Sequence, residues 1–188
     1  MPNTTNTLTQ ISAAELRLAA DYLTSTLDAV LAACHGLSAS QLSAKPNATA
    51  WSIEQTLEHM VIVEEFTLGP LVGMLLSATP QESEVPTHEV DAFIQQAFAD
   101  RTYKVDTPPF LVPPGTAKAA ESLQRLRDNN EKLIAMLGAD CISRNLRIDS
   151  MPLEAASQGR YRTMDGYQFI LFTATHNARH TKQILELR

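Results

Sequence analysis

The 188-residue chain of 20.6 kDa sets fifteen Lys and Arg against twenty-one Asp and Glu, a net charge of −6, with no basic cluster denser than Arg125-Leu126-Arg127. That balance disfavours a phosphate-backbone partner, so nucleic acid is not the expected ligand. With 44% hydrophobic residues and no unbroken apolar run of membrane-spanning length, the sequence predicts a single domain over residues 1–188 with its own core and no membrane partner.

Residues 1–10 are Thr/Asn-rich and are expected to be disordered; they lack a basic segment followed by an apolar one, which points to a cytoplasmic protein. Ser12, with Glu15 three residues on, has the spacing of a capping box. It opens a first helix whose apolar positions Leu16, Ala19, Leu23, Leu27, Val30 and Cys34 repeat at three-and-four spacing, with Gly36 placed to end it. His35 falls at its frayed end, on the surface. A connector of small polar residues follows, with one helical turn expected at 39–42.

Ser52 and Gln55 make a second capping box, with Trp51 available as a staple against Thr56 or Leu57. Along this second helix Thr56, His59, Val63 and Phe66 form a stripe flanked by Ile53, Leu57 and Met60, so His59 lies in the apolar face and apart from Glu54, Glu58 and Glu65. Gly69-Pro70 is expected to bend or split the helix. Residues 81–116 are Pro-rich, with one short helical pattern at 90–99; they read as a crossover that packs over the helices and shapes a pocket mouth, with His88 solvated.

A third helix begins at Gly115 or Thr116, with Ala119, Leu123, Leu126, Asn130, Leu133 and Leu137 as its seam and Gly138 closing it. Asn130 is the polar member of that seam, suited to fixing register or orienting a neighbour. Residues 140–161 read as a mixed loop before a last helix over 163–188. The stripe of that helix runs Phe169, Thr173, His176, His180, Ile184 and Leu187. The pattern as a whole is all-α: a four-helix bundle with a long crossover between helices 2 and 3.

His176 and His180 are one turn apart on a buried stripe, where two imidazoles either find polar partners or share a divalent cation. A third ligand has to come from another element, and His59 is the candidate. The two cysteines, Cys34 and Cys141, lack Cys-x-x-Cys spacing and read as free thiols.

The string Gly36-Leu37-Ser38, Gln41-Leu42, Lys45-Pro46, Trp51-Ser52-Ile53-Glu54 and Leu57-Glu58-His59, followed by His176-Asn177-Ala178-Arg179-His180, resembles the DinB superfamily over nearly the whole chain. The resemblance implies a four-helix bundle in which His59, His176 and His180 hold a divalent metal ion: nickel, zinc or iron. It also implies chemistry with a low-molecular-weight thiol such as bacillithiol, mycothiol or glutathione, in S-transfer or isomerisation. A homodimer is expected, because members often pair through bundle faces and because Leu31, Val61, Ile62 and Leu71 exceed what one seam needs.

The expected function is therefore a metal-dependent enzyme that activates a thiol or water against a small electrophile. The alternative is a non-catalytic module, binding or stress-related, in which the metal staples helices. Three ligands leave coordination positions open, which favours catalysis, and Asn177 stands where the His-Glu-x-x-His motif of zinc proteases carries its general base. Unperturbed imidazoles would release the metal below about pH 6.

Overall fold

The computed structural model describes residues 8–101 and 107–188, and it is mostly helical. The helices are α1 (Ala13–Cys34), α2 (Ala39–Ser43), α3 (Ile53–Phe66), α4 (Val72–Leu76), α5 (Thr87–Ala97), α6 (Ala119–Met136), α7 (Met151–Ala156) and α8 (Gly166–Glu186). α1 packs along α8 and α6, α3 packs along α6 and α8, and α5 leans on α8.

Both expected capping boxes close. The Ser12 hydroxyl accepts from Glu15 N while Glu15 returns its carboxylate to Ser12 N, and Ser52 and Gln55 do the same at the start of α3. The Gly69-Pro70 step neither ends nor sharply splits the helix. The chain widens into a π-type turn at Thr67–Leu71 and continues into α4, which removes the clash of the proline ring with the preceding turn. The helical run Ile53–Leu76 reaches a mean hydropathy of 1.4, enough by length and composition to cross a membrane. Within the fold it carries Glu58, His59 and Glu64 buried against its neighbours, which is how a core helix is built.

Three expectations change. Residues 140–161 hold more order than a loop: β1 (Arg147–Asp149) pairs antiparallel with β2 (Thr163–Asp165), with α7 between them. The last helix therefore starts at Gly166, three residues later than its pattern suggests, because Asp165 caps it in a third box with Gln168. Of the stretch expected to be disordered, residues 1–7 lie outside the described residues. Thr9, however, is tied down: its carbonyl accepts from Arg144 N at 2.9 Å and Ser143 Oγ at 3.0 Å, and its N–H donates to Asn145 Oδ1 at 3.0 Å. The crossover 81–116 contains α5 and a 3-10 turn at Pro109–Leu111, with residues 102–106 outside the description.

The apolar core divides in two. One cluster gathers Ala19, Leu23, Leu75, Ile94, Leu133, Tyr167 and Ile170; the other gathers Val30, Ile53, Leu57, Met60, Leu126 and Ile184. Each long helix changes cluster part-way along, and buried polar residues sit at that change: Thr26 on α1, Glu64 on α3 with His59 just before it, Asn129 and Asn130 on α6, Asn177 and His180 on α8. A polar belt thus crosses the interior between two apolar layers. Val61 and Leu71, counted in the sequence as surplus apolar surface, are buried in these layers.

The start of α8 is fixed by close contact. A Cβ on Gly166 would lie 2.2 Å from the Cys141 carbonyl oxygen and 3.0 Å from Ile142 Cα, both backbone atoms. Gly166→Ala is expected to cost about 3 kcal/mol or more, read as a lower urea midpoint at unchanged slope.

Candidate metal centre

His59 from α3 and His176 and His180 from α8 meet in the polar belt. His59 Nε2 and His180 Nε2 each lie 3.0 Å from His176 Nε2, and the candidate ligand atoms of all three residues fall within 4.8 Å of one another. His59 is 4% exposed and His180 8%, while His176 keeps a partly open edge. His35 and His88 are exposed and take no part.

The outer nitrogens decide what the inner ones can do. His59 Nδ1 lies 2.8 Å from the Leu111 carbonyl, which can only accept, so Nδ1 holds the proton and Nε2 holds a lone pair. His180 Nδ1 lies 2.9 Å from Gln183 Oε1, which imposes the same tautomer. Two lone pairs therefore point at His176 Nε2, which has at most one proton to offer. One lone pair faces a nitrogen with nothing to donate, and a cation at the point of convergence removes that conflict.

Burial keeps the rings neutral. Desolvation lowers the pKa of His59; it takes His176 well below 6.5, helped by His180 and His59; and it brings His180 to about 3, helped by His59 and by the Arg179 and Arg101 guanidiniums. Neutral imidazole is the ligand form, so protons compete for this site at lower pH than the unperturbed value implies. The expected release below about pH 6 shifts downward accordingly.

A family model described as the DinB superfamily matches residues 22–184. The chain belongs to the DinB superfamily. No curated protein and no solved structure matches it.

In this DinB chain several residues around the histidines have roles the pattern did not announce. Trp51 packs on His59, with ring centroids 4.8 Å apart, and Phe172 stacks on His176 at 6.1 Å. Glu58, placed by periodicity on a polar face, is 4% exposed. Its carboxylate accepts from Gly115 N at 2.6 Å, Thr116 N at 3.2 Å, Thr116 Oγ1 at 3.1 Å and Ala117 N at 3.0 Å. Consecutive residues of α3 thus grip the crossover, Glu58 at 115–117 and His59 at Leu111. Gln183 was legible in principle, three residues after His180 on the same face. The Leu111 carbonyl was not, because a backbone acceptor has no residue signature.

Asn130 is buried as its seam position requires, and its neighbour Asn129 is buried more deeply, at 2%. Both cysteines are buried, and burial raises both thiols, Cys34 to about 11. Neither is a ready nucleophile.

Proposed function

We propose that this chain is a metal-dependent enzyme built on a four-helix bundle of α1, α3, α6 and α8, with His59, His176 and His180 as the ligands of one divalent ion and a low-molecular-weight thiol as co-substrate. The observation that carries the reading is the convergence of three Nε2 atoms at which two nitrogens, by their fixed tautomers, bring only lone pairs. A divalent ion held by three neutral imidazoles keeps its full charge and supplies Lewis-acid activation of a thiol or of water.

The chain's own residues do the rest. Leu111 and Gln183 orient two rings through Nδ1, which fixes the direction of each Nε2 lone pair. Trp51 and Phe172 cover ring faces and keep water from them. Glu58 holds the 115–117 turn and with it the crossover that carries Leu111. Cys34 and Cys141 are buried thiols of raised pKa, so the reacting sulfur is supplied from outside.

A second reading has its own support. His59 and His180 are both nearly enclosed, as ligands of an ion that joins α3 to α8 without turnover would be. The experiment that separates the two is thiol conjugation of a model electrophile between about pH 6 and 8, with nickel-, zinc- or iron-loaded protein beside its chelator-treated form. Acceleration by the loaded protein, lost in His180→Ala while the circular dichroism is retained, supports the enzyme. Equal rates from loaded and chelated protein across several thiols and electrophiles leave the staple. Elemental analysis of protein purified without chelating resin is expected to find one divalent ion per chain.

A further inference from the structure

The three imidazoles differ in their outer partners. His59 Nδ1 has the Leu111 carbonyl and His180 Nδ1 has Gln183 Oε1, but His176 Nδ1 is sealed from solvent with no hydrogen-bond partner among the described residues. An imidazole that binds through Nε2 carries its proton on Nδ1. His176 therefore acquires a buried donor as soon as its Nε2 is used, and a buried donor without an acceptor costs about 1–3 kcal/mol.

The next residue has the complementary defect. Asn177 is 4% exposed and donates Nδ2 to Glu64 Oε1 at 2.7 Å, while its Oδ1 accepts nothing among the described residues. Glu64 is itself 2% exposed on α3, and Oε1 can accept from Nδ2 whether or not the carboxyl is ionised. The Asn177 carboxamide thus stands with Nδ2 on Glu64 and Oδ1 as the free end. Both side chains turn towards α3, His176 to His59 and Asn177 to Glu64.

We propose that Asn177, oriented by Glu64, is a positioning residue of the metal centre: its Oδ1 accepts the Nδ1 proton of His176 when Nε2 of that ring is a ligand. The proposal rests on the metal reading above. It gives the third ring the kind of partner that the other two have in Leu111 and Gln183, so that all three tautomers are set from outside. It also accounts for a buried Glu64 that forms no salt bridge among the described residues, and for Asn177, which occupies the general-base position of a zinc-protease motif and here serves as an acceptor.

Nitrogen-15 NMR of zinc-loaded protein, together with a zinc competition titration, tests it. In the parent, the His176 Nδ1–H signal is expected to be shifted downfield and slow to exchange. Asn177→Leu should lose that signal and bind zinc about 10- to 100-fold more weakly, with the His59 and His180 Nδ1–H signals unmoved. The conservative Glu64→Gln, which keeps the shape of the cluster, should shift the His176 signal in the same direction with a smaller loss of affinity, and it decides the matter if Asn177→Leu does not fold. Variants that fold, bind zinc as the parent does and keep the His176 signal overturn the positioning role alone. A parent that binds no zinc overturns the metal reading beneath it.

Discussion

His176→Ala is expected to lower divalent-metal affinity by more than about a hundredfold, beyond the 10- to 100-fold typical of losing an outer partner. His176 is the middle member of the cluster, with its Nε2 3.0 Å from both of the others, so its loss removes the nitrogen on which they converge. The parent should gain thermal stability with zinc in proportion to occupancy, about 2.7 kcal/mol at a hundred times Kd, and the variant should gain none at the same concentration. Parent and His176→Ala curves that rise together with added zinc would place the ion elsewhere. The pH dependence carries a sign of its own. Burial depresses all three imidazoles, His180 to about 3, so the folded protein keeps them neutral while the unfolded chain takes up protons below about 6.5. The metal should therefore stay bound to a lower pH than unperturbed imidazoles would hold it, and the metal-free protein should lose stability as pH falls below about 6.5.

The residues that define this centre were legible because helical periodicity is a strong local signal and the capping boxes mark where each helix starts. Ser52 with Gln55 fixes the phase of α3, which puts His59 in the apolar face; the four-residue spacing of His176 and His180 does the rest. The same logic failed for Glu58 and gave no reading of Glu64. α3 is buried on nearly all sides, so its charged residues do not mark a solvent face, and both carboxyls turned inward, Glu58 to the 115–117 turn and Glu64 to α8. β1 and β2 have three residues each, too short for an alternating pattern to register, and the central pair of their register, Ile148 and Met164, lies sixteen positions apart. Asp165 was readable as the cap of α8, since Gln168 stands three residues on, but a helix placed from 163 passes over that box.

Asp165→Ala should be among the most destabilising single changes in the chain, at about 3–5 kcal/mol. Asp165 is fully buried, and its Oδ2 accepts from Arg144 Nη1 at 3.2 Å and Arg147 Nη1 at 3.1 Å, while Oδ1 caps α8 through Gln168 N at 2.8 Å. The two arginines are not equally exposed to its loss. Arg144 keeps Asp91 at 2.7 Å and Glu15, but Arg147 has no second ion pair among the described residues: Thr163, the Arg144 carbonyl and Gln168 take its other hydrogen bonds, and Asp91 acts on it only through space. Removing Asp165 thus leaves a buried guanidinium without its paired carboxylate and removes a helix cap worth about 1 kcal/mol. Asp165→Asn keeps an oxygen for the cap but puts an amide donor where Oδ2 accepts from both arginines, so it should fall between the parent and alanine. Glu15→Gln, at a half-exposed member of the same network, should cost about 1 kcal/mol or less. Chemical denaturation of the three variants gives the ranking directly. If Asp165→Ala costs no more than Glu15→Gln, then desolvation of the carboxylate offsets its two ion pairs, and the start of α8 is held by Gly166 packing on Cys141 and Ile142.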